Sequence, residues 1–170
     1  MADSRVQTKG WDGIRKPPAV ETGSNTLLSV SPKYEDCASL EHILKPHWTV
    51  IGSTTVDSAI SVLGEMPIPI ALWDCDVLSG TWGEMLDRIS VLPDPPLLIV
   101  TSRLADERLW AEVLNLGAWD VLAKPYEADE VIRIVSIAYQ HWQDRHGLYD
   151  SRTTQRKSAR GTGYLALTGT

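Results

Sequence analysis

The sequence predicts an α/β protein built around a parallel, doubly wound sheet. Short apolar runs alternate five times with segments whose apolar residues recur at helical spacing, which is the pattern of successive βα units. The apolar runs contain few polar residues, as expected of strands that are covered on both faces. Three of the runs end abruptly in a polar residue, and open sheets of this class build their sites at the carboxyl ends of strands.

The first βα unit is predicted from an apolar run and from the residue that interrupts the helix after it. Residues 26–30 are predicted as the first strand, and residues 34–44 as a helix with apolar residues on one face. Pro46 is expected to stop this helix, because proline lacks a backbone N–H and clashes with the preceding turn. Residues 48–52 are predicted as a second, short strand.

The second helix is predicted at residues 54–63. Its first residue, Thr54, is followed three positions later by Asp57, which resembles a capping box, and Gly64 is expected to end the helix. The apolar run at residues 68–73 has the length of a strand and ends on Asp74. This run predicts the third strand.

The third and fourth helices are predicted on either side of the fourth strand. Residues 82–91 and 105–116 both carry apolar residues in helical register. Between them, the proline-rich residues 93–96 turn the chain into the fourth strand at 97–100. Gly117 is expected to end the fourth helix.

A short apolar strand then leads to Lys124 and Pro125, and residues 127–142 are predicted as the fifth helix. This helix begins with acidic residues, as the positive end of a helix dipole favours. Its apolar residues recur at helical spacing.

The polar residues at the strand ends are of three different kinds. Asp74 supplies a carboxylate after the third strand, Thr101 a hydroxyl after the fourth, and Lys124 an ammonium group after the fifth. The carboxyl ends of parallel strands share one edge of the sheet, so these residues are candidates for a common site.

These residues, in this order and at this spacing, resemble the receiver domain of two-component response regulators over about residues 26–143. In that family an aspartate ends the third strand, a threonine or serine the fourth, and a Lys-Pro pair the fifth. Residues 116–126 resemble the family's closing motif, Leu-Gly-Ala-x-x-Tyr-Leu-x-Lys-Pro-Phe. The resemblance implies a flavodoxin-like, doubly wound (βα)5 fold with a five-stranded parallel sheet in the order 2-1-3-4-5.

The resemblance implies a single-domain receiver in phosphorelay signal transduction, and not an enzyme. Asp74 would be the phosphoacceptor, while Thr101 and Lys124 would bind the oxygens of the transferred phosphoryl group. The implied partners are a sensor histidine kinase or phosphotransfer protein and a downstream protein. A second copy of the chain, in a homodimer, is a further candidate partner.

The chain departs from the family at the implied metal site. The family carries two adjacent acidic residues after the first strand, where this chain has Ser31 and Pro32. Of the implied metal-binding carboxylates Asp74 remains, and Asp76 together with Glu35 or Asp36, which open the first helix, are candidates to compensate. Mg²⁺ requires hard oxygen ligands, so we expect a site with fewer carboxylates to bind it less tightly.

Three further positions bear on how a signal would leave the domain. Val121 stands at the switch position, where the family usually has an aromatic ring whose inward swing couples phosphorylation to the outer face. We therefore expect a weakened output switch. Trp110 and Trp119 are predicted near the fifth strand on the outward face, where aromatic anchors are common in protein contacts.

Two alternatives to a phosphorylated receiver follow from the same residues. Ser31, Pro32 and Val121 also suit a pseudo-receiver that binds proteins without being phosphorylated. A small enzyme or flavin carrier on this fold would need a phosphate-binding loop after the first strand. Residues 31–34 contain no glycine and lose a backbone donor at the proline, which argues against this class.

Composition limits the remaining classes. The 170 residues have a formal charge of -6 and a pI near 5.1, which argues against a dedicated nucleic-acid surface. No apolar run approaches the roughly 20 residues that span a bilayer, so we expect a cytoplasmic protein without membrane contact. Cys37 and Cys75 have no paired spacing and form no zinc pattern with the histidines.

Three segments are expected along the chain. Residues 1–24 form an N-terminal tail, residues 25–145 the receiver-like domain, and residues 146–170 a C-terminal tail that is expected to be disordered. Both tails are polar and show no period of helix or strand.

Overall fold

The computed structural model describes residues 25–76 and 82–160, and for residues 147–160 it describes only the helical backbone. Strands and helices alternate strictly along the described chain. The strands are β1 (Asn25–Val30), β2 (Trp48–Ser53), β3 (Ile70–Asp74), β4 (Leu97–Ser102) and β5 (Asp120–Ala123). The helices are α1 (Tyr34–Leu44), α2 (Val56–Glu65), α3 (Trp82–Ser90), α4 (Glu107–Asn115) and α5 (Ala128–Arg160).

The strands form one parallel sheet in the order β2-β1-β3-β4-β5. The order reverses between β1 and β3, and this reversal places a crevice at the carboxyl ends of those two strands. The predicted fold, a flavodoxin-like doubly wound (βα)5 domain, is confirmed.

Buried side chains cover both faces of the sheet in two clusters. Ala71 and Trp73 of β3 belong to the cluster that packs under α2, α3 and α4. Ile70 and Leu72 belong to the cluster under α1 and α5. Neighbouring residues of a strand point to opposite faces, so this alternation fixes the face that each strand-end residue takes.

The N-cap of α2 is Thr55, not Thr54 as the sequence predicts, so the helix begins one residue later. Thr55 is the N-cap, with its hydroxyl accepting a hydrogen bond from the backbone N–H of Ser58 at 3.2 Å. This bond satisfies one of the free N–H groups of the first turn.

The end of α2 also corrects the prediction, because the helix continues through Gly64 to Glu65. Met66 follows with an extended backbone, φ -149° and ψ 146°. A residue before a proline is driven out of the helical region, so Pro67 ends the helix in place of the glycine.

Gly117 has the role that the sequence predicts for it at the end of α4. Its φ of 97° lies in the left-handed region that favours glycine. Leu116, which the periodicity placed on the apolar face of the helix, is instead 57% exposed, because α4 ends at Asn115.

α5 continues well past residue 142, where its predicted span ends. Its predicted inner face, formed by Val131, Ile134, Val135 and Ala138, is buried against the sheet. Its helical backbone runs on through residues 146–160, a stretch that has no proline and one glycine. Residues 1–24 and 161–170 lie outside the described residues.

Within the described ranges, no helix is both long and apolar enough to cross a membrane.

We predict that Thr55→Ala lowers the free energy of unfolding by about 1 kcal/mol, because the substitution removes the N-cap of α2. Urea unfolding followed by far-ultraviolet circular dichroism measures the change. Thr54→Ala is the matched control and should be neutral within roughly 0.5 kcal/mol. Equal losses from the two substitutions would contradict the assignment of the cap.

Candidate functional site

Four polar side chains meet at the carboxyl edge of the sheet. Asp74 ends β3 and is paired in register with Thr101 of β4. Ser31 follows β1 directly, and Lys124 follows β5 directly. Side chains alternate between the faces of a sheet, so all four belong on the face covered by α1 and α5. The structure thus brings the three predicted strand-end residues together and adds Ser31.

The Asp74 carboxylate is buried, with 1% of its side chain exposed, and both of its oxygens accept hydrogen bonds. Oδ1 accepts from Lys124 Nζ at 2.6 Å and from the backbone N–H of Asp76 at 3.1 Å. Oδ2 accepts from the Ser31 hydroxyl at 2.8 Å. Burial alone would raise the pKa of Asp74, but the bonds from Lys124 and Ser31 outweigh it and lower the pKa.

The Lys124 ammonium lies among three carboxylates and is 2% exposed. Besides its bond to Asp74, Nζ lies 3.2 Å from Oδ2 of Asp36 in α1 and 3.2 Å from Oδ2 of Asp76. Burial alone would lower the pKa of Lys124, but the bond to Asp74 and the charges of Asp36 and Asp74 raise it. The ammonium therefore stays charged at neutral pH.

Asp76 links this site to the chain that leads from β4 into α4. Its Oδ1 accepts from the Ser102 hydroxyl at 2.6 Å, and its Oδ2 accepts from the backbone N–H of Arg103 at 2.9 Å. Burial would raise the pKa of Asp76, but the bonds from Ser102, Arg103 and Lys124 lower it. Asp76 is consequently ionised and held in place by several donors.

Thr101 is buried beside Asp74, but its hydroxyl points elsewhere in this structure. Oγ1 donates to the carbonyl of Trp73 at 3.3 Å, a long hydrogen bond. Tyr126 packs close by, and burial raises the pKa of its phenol to about 12, with a hydrogen bond to Thr101 acting in the opposite direction. The Thr101 hydroxyl must rotate to reach a group bound at Asp74.

Val121, at the predicted switch position, is buried in the cluster under α2, α3 and α4. An isopropyl group fills the position, so no ring is available there to move between the core and the surface.

The two predicted partner-face tryptophans lie in different surroundings. Trp110 in α4 is 51% exposed, and its Nε1 donates to Oδ1 of Asp120 at 3.2 Å. Trp119 is half-buried against the cluster under α1 and α5, with its ring centroid 4.7 Å from that of His141. Of the two, Trp110 offers the exposed ring that a protein contact needs.

Two contacts of the site were missed in the sequence. Ser31 was counted only as a lost acid, yet its hydroxyl binds Asp74 and also lies 3.3 Å from Oδ2 of Asp36. Asp36 was considered only as a substitute metal ligand, yet it binds Lys124. The signal that was available is the strand order, which places the end of β1 next to the end of β3.

The residues around Lys124 do not fit Mg²⁺ as they are arranged. The carboxylates of Asp36, Asp74 and Asp76 are the right type of donor, but they surround the ammonium at 2.6–3.2 Å. Mg²⁺ demands near-octahedral oxygens at about 2.0–2.1 Å. In the part of the chain that the structure describes, no group of three His, Cys, Asp or Glu residues is placed to hold a metal ion.

A cavity of about 600 Å³ opens beside Asp76. Its lining includes three basic residues, Lys33, Arg103 and Arg108, and three acidic ones, Asp76 among them. The formal charges balance, so the charge of the lining alone favours neither an anion nor a cation.

Comparisons with known proteins bear on the fold. No protein-family model and no curated protein matches the sequence. Many solved structures match, among them a response regulator from Thermotoga maritima with 19% identity, a TM-score of 0.63, and coverage of 69% of this chain and 98% of that one.

Two further solved structures agree with this match. The signal receiver domain of an HD domain-containing protein from Pseudomonas fluorescens Pf-5 is 19% identical, with a TM-score of 0.65 and coverage of 76% of this chain and 97% of that one. The beryllofluoride-activated NtrC4 receiver domain dimer is 20% identical, with a TM-score of 0.62 and coverage of 69% and 98%. The structural neighbours are response-regulator receiver domains, and the chain has the fold of a receiver domain.

Proposed function

We propose that this chain is a signal-receiver module of a phosphorelay, and not an enzyme, in which Asp74 accepts a phosphoryl group. The observation that carries the proposal is the grouping of three chemistries at one edge of the sheet. The Asp74 carboxylate lies 2.6 Å from the Lys124 ammonium, and Thr101 is its neighbour in register on β4. An anionic nucleophile, a cation and a neutral donor are the groups that phosphoryl transfer to a carboxylate needs.

Oδ2 of Asp74 is the oxygen that would attack. Oδ1 is held by two donors, whereas Oδ2 is held only by the Ser31 hydroxyl among the described contacts. That hydroxyl can turn to Asp36, whose Oδ2 lies 3.3 Å away, and so release a lone pair. Oδ2 then forms the bond to phosphorus while the N–P bond of a donor phosphohistidine breaks. The electrons of that bond stay on the imidazole, which takes up a proton.

Lys124 and Thr101 would stabilise the phosphoryl group during this step. The ammonium remains on Oδ1 and reduces the repulsion between the carboxylate and the incoming anion. The Thr101 hydroxyl gives up its long bond to Trp73 and donates to a phosphoryl oxygen.

The partners that belong to this function are a sensor histidine kinase or phosphotransfer protein as donor and a downstream protein as recipient of the signal. The receiver-domain fold of the structural neighbours supports this assignment. The NtrC4 receiver domain forms a dimer in its structure, which supports a second copy of this chain as one partner.

A second candidate is a protein-binding module that is never phosphorylated. The observation that favours it is the engagement of both Asp74 oxygens on a side chain that is 1% exposed. In this case Asp74 and Lys124 form a buried ion pair that holds the carboxyl edge of the sheet together. The presence of an acyl phosphate on Asp74 separates the two candidates.

Incubation with a small acyl-phosphate donor is predicted to add the mass of one phosphoryl group to the wild-type protein. Asp74→Asn should show no adduct, because an amide oxygen is a far weaker nucleophile than a carboxylate. Intact-mass spectrometry measures the adduct, with and without Mg²⁺ and with a chelator. Asp129→Asn, which changes an exposed carboxylate at the start of α5, should be labelled like the wild type.

The labelling experiment also decides between the candidates. If the wild-type protein stays unlabelled under conditions that label an ordinary receiver, the phosphorelay proposal is wrong and the protein-binding module remains. An adduct that persists in Asp74→Asn would assign the phosphoryl group to another residue.

Acid should weaken the domain through the same carboxylates. Asp74 and Asp76 have lowered pKa values in the fold, so the stability they contribute is complete above their unfolded pKa, near 3.9, and is lost as the pH falls through the folded values. The pKa of Lys124 is raised, so its contribution is complete below its unfolded pKa, near 10.4, and is lost as the pH rises through its folded value.

Asp74→Asn is predicted to cost roughly 2 kcal/mol of unfolding free energy at pH 7, because a charged hydrogen-bond partner of the buried ammonium is lost. This difference from the wild type should shrink as the pH falls below about 4, where Asp74 becomes protonated in the unfolded and then in the folded protein. Urea unfolding across the acid range measures both curves. For Asp129→Asn, the exposed control, the plot of unfolding free energy against pH should run parallel to that of the wild type. If the difference between Asp74→Asn and the wild type does not change with pH, the linkage to the Asp74 pKa is refuted.

If a second copy docks on the face that carries Trp110, Trp110→Ala should raise the dimer dissociation constant at least 30-fold, or about 2 kcal/mol. Sedimentation velocity over a range of protein concentrations measures the constant. Val91→Ala removes an exposed apolar side chain beyond the end of α3 and serves as the control. Unchanged association in Trp110→Ala would remove this residue from the interface.

A further inference from the structure

We propose that the Lys124 ammonium is the resident cation of the acidic site formed by Asp36, Asp74 and Asp76, and that it takes the role that a divalent metal ion would otherwise have there. The site then carries its positive charge within the chain and binds no Mg²⁺ or Ca²⁺ in the millimolar range. The inference rests on the proposed function for the roles given to Asp74 and Lys124, but its test measures cation binding and not phosphoryl transfer.

The position of the ammonium supports this inference first. Nζ lies within 3.2 Å of carboxylate oxygens from three parts of the chain, namely Asp36 in α1, Asp74 at the end of β3 and Asp76 after it. The Lys124 side chain is 2% exposed, so its charge is neutralised by these partners and not by water. Any cation that used the same oxygens would have to displace the ammonium.

Donors from the chain also occupy other acceptor positions of Asp74 and Asp76. Ser31 donates to Asp74 at 2.8 Å, and Ser102 donates to Asp76 at 2.6 Å. The backbone N–H of Arg103 donates to Asp76 at 2.9 Å. Three carboxylates around one ammonium leave an excess of negative charge. These hydrogen bonds stabilise that charge and so weaken its attraction for a second cation.

Distance argues in the same direction. The carboxylate oxygens lie 2.6–3.2 Å from Nζ, whereas oxygen ligands lie about 2.0–2.1 Å from Mg²⁺ and about 2.3–2.6 Å from Ca²⁺. The oxygens would have to move inwards to bind either ion at the position of Nζ, and they would have to move less for Ca²⁺.

The test compares divalent-cation binding by the wild type and by Lys124→Met, which keeps the length of the side chain and removes its charge. Isothermal titration calorimetry and thermal unfolding are run with Mg²⁺, with Ca²⁺ and with a chelator. We expect no saturable heat and no shift of Tm for the wild type. Lys124→Met should have a lower Tm in chelator, because three carboxylates then face one another without a cation.

A bound metal ion should restore the thermal stability that Lys124→Met loses. At about 100 times its dissociation constant, Ca²⁺ should raise the Tm of Lys124→Met by roughly 5–10 °C, and Mg²⁺ should act more weakly. The double variant Lys124→Met/Asp36→Asn should lose most of the Ca²⁺ effect, since one of the three carboxylates is neutral. If Lys124→Met is unfolded in chelator, Ca²⁺ is expected to refold it, with the same dependence on Asp36.

Saturable Mg²⁺ or Ca²⁺ binding by the wild type that disappears in Asp74→Asn would overturn the proposal. So would a Lys124→Met protein whose Tm or folding does not respond to either ion. The phosphorelay proposal fails on different data, the absence of an adduct on Asp74, so the two failures cannot be confused.

Discussion

The buried ammonium of Lys124 is the interaction on which the rest of the site depends. Removing a charge from water costs several kcal/mol unless its partners compensate, and here the compensation comes from Asp36, Asp74 and Asp76. These carboxylates belong to α1, to β3 and to the chain that leaves β3. One cation therefore connects these three parts of the chain, and it is also the charged partner of Asp74, the proposed phosphoacceptor. Stability and reactivity at this edge of the sheet cannot be varied independently.

Much of this arrangement could be predicted from the sequence, because it follows from periodicities. Apolar runs of strand length and helical stripes predicted the fold and most element positions, and the polar strand ends predicted that Asp74, Thr101 and Lys124 would meet. The alternation of β3 between the two clusters also determines that Asp74 faces α1 and α5. Periodic patterns and the residues at strand ends are local features, so a single sequence is enough to reveal them.

The rest could not be predicted, because it depends on short distances between elements that are remote in the chain. The strand order places Ser31 near Asp74, but it does not show that the Ser31 hydroxyl reaches the Asp74 carboxylate, or that Asp36 reaches Lys124, 88 residues away. The resemblance to receivers also predicts Trp110 and Trp119 on the outward face near the fifth strand, whereas Trp119 packs against α5. A helical or strand period gives the face of a residue but not the partner that it meets there.

The contacts around Lys124 also indicate how a change at Asp74 would be transmitted. Val121 is buried and aliphatic, so no ring at this position can move between the core and the surface. Lys124 instead contacts Asp76, and Asp76 holds the Arg103 backbone in the segment that leads into α4. Under the proposed function, the oxygens of a phosphoryl group on Asp74 would offer the ammonium another partner, weaken its contact with Asp76 and so loosen the start of that segment. The exposed Trp110 lies on α4, so the charge balance at Lys124 connects the buried carboxylate to the surface where a partner is proposed to dock.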